Sequence, residues 1–173
     1  MQPQKTKGLI AATFTPMDAR GEVDLSQVPT IGQYVMNNGV NGIFVAGSTG
    51  EGESLSSEER RAIAKAYVDT CIDSIPVIIQ VGHNSIREAQ GQAAHAQDIG
   101  ATAIAAASPS YFRPKTAADL FTYLSELASA APNLPLYYYH IPGLNQVNLD
   151  MVELLRLASN SLPSFAGLKY SAV

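Results

Sequence analysis

Residues 42–59 read GIFVAGSTGEGESLSSEE and contain one complete passage from a strand to a helix. The run from Gly42 to Ala46 is apolar without polar alternation, which is typical of a strand covered on both faces in a parallel sheet. Glycines then interrupt it, and Ser56 with Glu59 forms a capping box, in which each side chain satisfies a free backbone N–H at a helix start. This stretch therefore predicts one βα unit.

The same passage recurs along the chain roughly every thirty residues, the usual size of a βα repeat. Strands are expected over the apolar runs 9–14, 42–46, 76–81, 101–107, 134–139 and 165–169. Helices are expected at 25–38, from 56, at 85–100, from 116 to 132 and at 149–158. Strict alternation predicts an α/β fold with a parallel sheet, and both a doubly wound sheet and a closed barrel satisfy it.

Each predicted strand from the second onward is followed by a cluster of glycine, hydroxyl, aromatic or charged residues. In a closed barrel these strand ends meet at one rim, where barrel enzymes hold their active sites. We therefore expect residues 1–173 to form a single partial domain, an incomplete (β/α)8 TIM barrel with strands 1–6 present and a site at that rim. The clusters are Gly47–Gly52, Gly82–Asn84, Ser108–Pro114, Tyr137–Pro142 and Gly167–Ser171.

Lys169 and Tyr139 end neighbouring predicted strands. Lys169 follows an apolar run, so its stem would lie in a mostly apolar cavity, where burial disfavours the ammonium and frees the amine to attack a ketone. An isolated strand-end lysine more commonly extends to water. Tyr139 is placed to carry a proton to and from a substrate oxygen, whereas either Tyr137 or Tyr138 is expected to be a core aromatic residue. The pair predicts Schiff-base chemistry.

Ser48 and Thr49 lie, with Gly47, in the glycine-rich turn after the second strand. Backbone N–H groups in such a turn can bind an anion, and the two hydroxyls can add hydrogen bonds to a carboxylate. The turn lacks the GK[ST] ending of a phosphate loop and the spacing of a dinucleotide-binding GxGxxG. Without Lys169, an ordinary βα turn would be the better interpretation.

Composition and motifs argue against several other functions. The net charge of −4 and the lack of a basic run give no footprint for nucleic acid or an anionic membrane. The three histidines form no HxH or HExxH pair, so no metal is expected, and no GxSxG elbow supports a serine hydrolase. No cofactor is expected. The polar start and the single Cys71 lead us to expect a cytosolic protein.

Three motifs together resemble the signature of the N-acetylneuraminate lyase and dihydrodipicolinate synthase family. They are GSTGE at 47–51, YHIP at 139–142 and GLK at 167–169, and their order and spacing agree over essentially the whole chain. By this resemblance Lys169 is the lysine that forms a Schiff base with pyruvate, and Tyr139 is the tyrosine that shuttles protons.

The resemblance implies further roles. Ser48 and Thr49, with Gly47, would bind the pyruvate carboxylate, and the Ser48 hydroxyl would join the proton relay. Tyr111 matches a tyrosine that reaches into the active site of the adjacent subunit. Family members form tetramers, so the resemblance implies a homotetramer that acts on small molecules, without nucleic-acid or membrane partners.

Leu144 bears on the branch of the family. The synthases carry an arginine two residues after the proline of Tyr-x-x-Pro, where it holds a second carboxylate, and Leu144 cannot make that bidentate contact. The run at 137–142 is also similar to the animal lyases. The resemblance therefore favours a class I aldolase that cleaves N-acetylneuraminate to N-acetylmannosamine and pyruvate. Another Schiff-base reaction of the family, such as that of the synthases, stays open.

The length sets a further expectation. A complete barrel takes ~250 residues, whereas this sequence ends at Val173, just past the sixth predicted strand. In the family, later strands hold the polyhydroxy tail of the sugar, so the pyruvate half of the site is expected here. Open sheet edges favour aggregation, and we expect the isolated chain to be inactive or poorly folded. A non-catalytic role beside complete subunits is a further alternative.

Overall fold

A computed structural model describes residues 7–171, which fall into two compact units. The amino-terminal unit holds residues 7–80 and 95–103, and the carboxy-terminal unit holds residues 81–94 and 104–171. Strands alternate with helices through both units, and strands pair in parallel within each of them. The predicted α/β class is therefore confirmed, while the single domain over 1–173 stays a prediction.

The amino-terminal unit has three parallel strands, β1 (Ile10–Ala12), β2 (Gly42–Val45) and β3 (Val77–Gln80). β2 lies between the other two, with Ile43 beside Ala11 on one strand and beside Val77 on the other. Every residue of β2 and β3 is buried. Burial on both faces explains why these runs show no polar alternation.

Two helices follow the first two strands of this unit, α1 (Val28–Asn37) and α2 (Ser57–Cys71). The predicted capping box opens α2, because Ser56 Oγ accepts the Glu59 N–H at 3.2 Å and Glu59 Oε2 accepts the Ser56 N–H at 2.7 Å. The start of the first predicted helix is a short 3-10 turn at Leu25–Gln27, and a second such turn at Gly52–Ser54 precedes α2.

The carboxy-terminal unit contains β4 (Ala103–Ala107, from Ile104 onward), β5 (Leu136–His140) and β6 (Phe165–Tyr170). β5 pairs in parallel with both neighbours, and its register to β6 shifts between Leu136 and Tyr137. The shift sets Tyr139 beside Lys169 across the β5–β6 ladder. This register positions the candidate site.

Four helices complete the fold: α3 (Ile86–Asp98), α4 (Ala117–Ala128), α5 (Pro142–Asn145) and α6 (Met151–Ser161). A capping box formed by Thr116 and Asp119 opens α4, and its predicted leucine face, Leu120, Leu124 and Leu127, is fully buried. α4 ends at Ala128, four residues before the proline that was expected to stop it. The short α5 was not predicted.

The helix predicted from Ser85 is present as α3. Ser85 Oγ accepts the Glu88 N–H at 3.4 Å, as the capping pattern requires, while the Ser85 N–H donates to His83 Nδ1 at 2.9 Å. The His83 ring thus accepts the backbone N–H that, in a complete capping box, donates to the glutamate side chain. Between residues 7 and 171, none of the helices has the length and apolar character needed to cross a membrane.

Candidate active site

Lys169 and Tyr139 lie side by side on β6 and β5. The Lys169 Nζ stands 3.6 Å from the centroid of the Tyr139 ring. Tyr139 is only 5% exposed, and Lys169 is half-buried. Gly167, two residues earlier in the motif, has a φ of 146°, a conformation that side chains rarely adopt. The structure therefore brings together the two residues that the sequence singled out for Schiff-base chemistry.

Ser171 supplies a second contact to the amine. Lys169 Nζ donates to Ser171 Oγ at 3.4 Å, and the Ser171 N–H donates to the His140 carbonyl oxygen at 2.8 Å. The backbone that carries the hydroxyl is therefore tied to β5. The amine is held between an aromatic face and a hydroxyl, which narrows the positions available to a long, flexible side chain.

The contact sets the face of the Tyr139 phenol ring against the Lys169 amine, because Nζ faces the centre of the ring. The face of an aromatic ring carries partial negative charge, which makes it a favourable contact surface for the end of a lysine side chain.

Tyr138 and His140 point to the opposite face of β5, because successive side chains of a strand alternate. Both are almost fully buried. Burial raises the pKa of the Tyr138 phenol, although Ser108 and Asn145 oppose the rise, and its hydroxyl has no hydrogen bond of good geometry. Burial also lowers the pKa of His140, which keeps its ring neutral near pH 7. Tyr138 is thus the predicted core aromatic residue.

Asn145, at the end of α5, was missed by the sequence analysis. Its Nδ2 donates to Ser108 Oγ at 2.9 Å, and its Oδ1 accepts the Val147 N–H at 3.1 Å. These bonds fasten the segment after β5 to the end of β4. Leu144, beside it, is 68% exposed. The sequence shows only that an asparagine follows soon after a strand. It does not show the hydrogen-bond partner, because Ser108 lies 37 residues away.

Tyr111 lies on an exposed loop after β4. Its side chain is 78% exposed, and its ring meets the ring of Phe112 edge-on, with centroids 4.9 Å apart. Within residues 7–171, Tyr111 makes no hydrogen bond or ring contact with Lys169 or Tyr139. The Tyr111 side chain therefore points to solvent and is not bonded to Lys169 or Tyr139.

Ser48 and Thr49 belong to the amino-terminal unit, in the turn after β2, and both are exposed while Gly47 is buried. The turn closes through a bond from the Gly52 N–H to the Gly47 carbonyl oxygen and another from the Glu51 N–H to the Ser48 carbonyl oxygen, each 3.1 Å long. The two predicted hydroxyls thus stand on a tight turn whose backbone is tied to itself.

Backbone strain marks both ends of this turn. Ala46 and Glu51 have positive φ values of 56° and 52°, a conformation that costs energy for residues other than glycine and concentrates at functional sites. Thr15, which is nearly buried, donates its hydroxyl to the Gly50 carbonyl oxygen at 2.6 Å. Such a fixed turn can present hydroxyl and N–H groups to an anion without reorganising. Between residues 7 and 171, no cluster of His, Cys, Asp or Glu has an arrangement suited to a metal.

Comparisons with known sequences identify relatives of this chain. A profile of the Dihydrodipicolinate synthetase family matches residues 5–172. The N-acetylneuraminate lyase of Homo sapiens is 47% identical, over 97% of this chain and 53% of the human protein. The N-acetylneuraminate lyase of Danio rerio is 42% identical, over 97% of this chain and 55% of that protein. The chain thus spans about half the length of the curated relatives it matches.

Solved structures of N-acetylneuraminate lyases are also similar to this chain. Proteus mirabilis N-acetylneuraminate lyase superposes with a TM-score of 0.94 at 33% identity, over 98% of this chain and 57% of that one. The sialic acid aldolase from Aliivibrio salmonicida also has a TM-score of 0.94, at 38% identity, over 98% of this chain and 56% of that one. The predicted TIM-barrel class is confirmed by this likeness. The chain belongs to the Dihydrodipicolinate synthetase family.

Proposed function

We propose that this chain supplies the pyruvate-handling half of a class I aldolase that cleaves N-acetylneuraminate to N-acetylmannosamine and pyruvate. The observation that carries the proposal is the Lys169 amine, held 3.6 Å from the Tyr139 ring on a paired strand. Relatives 42–47% identical to this chain bear the name N-acetylneuraminate lyase, which supports the choice of substrate.

In this mechanism the neutral Lys169 amine attacks the C2 ketone of the sugar acid, and loss of water from the carbinolamine leaves a protonated imine. The electrons of the C3–C4 bond flow into that imine as the bond breaks, while the C4 hydroxyl loses its proton and leaves as the aldehyde of N-acetylmannosamine. Tyr139 takes that proton. The remaining enamine gains a proton at C3, and water releases pyruvate and regenerates Lys169.

The other predicted residues have auxiliary roles in the proposal. Ser48, Thr49 and the Gly47 turn bind the carboxylate of the substrate, and the Ser48 hydroxyl extends the proton relay. Tyr111 completes that relay in an adjacent subunit. The imine is the electron sink, so the mechanism needs no cofactor. The proposal includes a cytosolic homotetramer as the working enzyme.

A second Schiff-base reaction of the same family is the alternative. The dihydrodipicolinate synthase from Bacillus anthracis has a TM-score of 0.85 to this chain at 28% identity, so the fold serves both branches. Leu144, 68% exposed, favours the lyase because it offers no charge to a second carboxylate. Supplying pyruvate with N-acetylmannosamine, and then with other aldehydes, distinguishes the two by the product formed.

Reductive trapping tests the proposal. The purified chain is incubated with pyruvate and borohydride, and the modified lysine is located by peptide mapping. Imine trapping needs only the pyruvate half of the site and no lyase turnover, so we expect one adduct, at Lys169, whose half-buried amine meets the Tyr139 ring. Lys169→Arg keeps the positive charge and should abolish the adduct, whereas Lys65→Arg, at an exposed lysine in α2, should leave it unchanged.

Either of two results would reject the proposal. An adduct spread evenly over exposed lysines would mean that Lys169 is not activated. No adduct in the parent chain would mean that these residues alone do not form the α-keto acid pocket, and a non-catalytic role beside complete subunits would then be favoured.

A further inference from the structure

Asn84 holds the loop that carries Tyr111. Its Oδ1 accepts the Ser110 N–H at 2.9 Å and the Tyr111 N–H at 3.0 Å, with the Ser110 hydroxyl more distant at 3.4 Å. A carbonyl oxygen has two lone pairs, so the two backbone bonds use its full capacity. One side chain therefore anchors two successive peptide groups that lie 26 and 27 residues further along the chain.

Asn84 is itself held in place from both sides. The Tyr123 hydroxyl accepts the His83 N–H at 3.1 Å and donates to the His83 carbonyl oxygen at 3.1 Å. The His83 ring accepts the Ser85 N–H. Because Tyr123 lies on α4, the backbone around Asn84 is fastened to a helix with a buried leucine face. The carboxamide is thereby aimed at the loop.

The loop depends on this anchor because its own aromatic side chains are turned to solvent. Tyr111 and Phe112 are 78% and 85% exposed, so burial contributes little to holding them. Exposed segments with few buried contacts open at low free-energy cost. The direction in which the Tyr111 side chain leaves the loop is therefore set by the backbone, and the Asn84 bonds act on that backbone at Tyr111 itself.

We propose that Asn84 is a positioning residue, whose carboxamide oxygen fixes the backbone at Ser110 and Tyr111 and thereby sets where the Tyr111 hydroxyl is presented. The inference rests on the proposed function for the role of Tyr111 in a proton relay, and it adds the residue that holds Tyr111 in place. Asn84 acts through Tyr111 and needs no contact with substrate. Position 84 therefore requires a short side chain that carries a hydrogen-bond acceptor.

Backbone amide exchange tests the anchor directly, without reference to catalysis. In Asn84→Ala the amides of Ser110 and Tyr111 should exchange about tenfold faster or more, because their acceptor is lost. Asn84→Asp retains two acceptor oxygens and should restore slow exchange. Asn160→Ala, at an exposed asparagine in α6, is the matched control, and the α4 amides report that the fold is kept. Unchanged exchange in Asn84→Ala would overturn the inference.

A double-mutant cycle on the trapping rate at Lys169 tests the link to Tyr111. Asn84→Ala should slow adduct formation in the parent chain but add nothing once Tyr111→Phe has removed the hydroxyl. Equal slowing in both backgrounds would show a general loss of structure and overturn the positioning role. If Tyr111→Phe has no effect, or the parent forms no adduct, the proposed function of Tyr111 fails, and the exchange result still decides whether Asn84 is the anchor.

Discussion

Gly52 shows how a single residue limits the turn that carries Ser48 and Thr49. A Cβ added to Gly52 would overlap the carbonyl oxygen of Ala46, whose own φ is already positive. The neighbouring atoms belong to the backbone, so no side-chain rotation can relieve the overlap. The turn can be this tight only because residue 52 has no side chain.

We expect Gly52→Ala to destabilise the protein by about 1–3 kcal/mol, the usual cost of forcing extra volume into a packed region. Urea unfolding measures the change. Gly143→Ala is the matched control, because a Cβ at Gly143 meets nothing within 4 Å. Equal midpoints for the two variants would contradict this account of the turn.

Only some residues of the candidate site could be predicted from the sequence. Lys169 and Tyr139 were predicted because each ends a strand of plain apolar character, and the β5–β6 register then places them side by side. Asn84 was placed in a strand-end cluster but was given no role, and Asn145 was missed. Their partners lie 26 and 37 residues away, and no local pattern connects an asparagine with a backbone or hydroxyl that only folding brings near.

At the scale of elements, capping patterns were the most reliable signals. The predicted box that opens α2 forms, because its partners are three residues apart and need no tertiary structure, and α4 begins after Thr116 as expected. Boundaries were less well predicted: β1 covers only Ile10–Ala12, and α4 stops before Pro132. The end of a strand or helix depends on what packs against it, which the local sequence does not contain.

The start of α6 offers a test of capping in the carboxy-terminal unit. Asp150 Oδ1 accepts the Val152 N–H at 2.8 Å and the Glu153 N–H at 3.3 Å. Asp150→Ala should lower the free energy of unfolding by about 1 kcal/mol because two helix-end donors lose their acceptor. Asp150→Asn should retain most of the stability. Chemical denaturation checks both, and an Asn variant as weak as the Ala variant would mean that charge, rather than the acceptor, matters.

At the scale of the whole molecule, the buried Tyr67 makes the free energy of unfolding depend on pH in the alkaline range. Burial raises the pKa of Tyr67 from 10.0 to about 12, and its hydroxyl donates to the Phe14 carbonyl oxygen at 2.8 Å. Below pH 10 the phenol is neutral in both states, so the contribution is complete. Above that value the unfolded chain loses its proton first, and the folded chain keeps it until about pH 12. The free energy of unfolding should therefore fall across this window.

Urea unfolding at about pH 9 and about pH 11 measures that fall. Tyr67→Phe should show a smaller loss between the two values, because it has no proton to lose, although it also lacks the bond to Phe14. The relevant quantity is the change in the free energy of unfolding between the two pH values, taken within each protein. The cost of the missing bond to Phe14 is the same at both pH values and therefore cancels. If the free energy of unfolding falls equally in the parent and in Tyr67→Phe, Tyr67 does not cause the loss of stability at alkaline pH.

Three successive tyrosines in β5 affect how this region tolerates changes of length. Tyr139 faces the amine only because of its register with Lys169, and a one-residue slip of a strand moves every side chain to a new position. An insertion before β5 that advanced the strand by one residue would bring Tyr138 into that position, and Tyr137 would replace Tyr138 in the core. A deletion would bring His140 there instead. The segment before β5 therefore tolerates a one-residue insertion better than a deletion, because only the insertion keeps a tyrosine, with its phenol hydroxyl, beside Lys169.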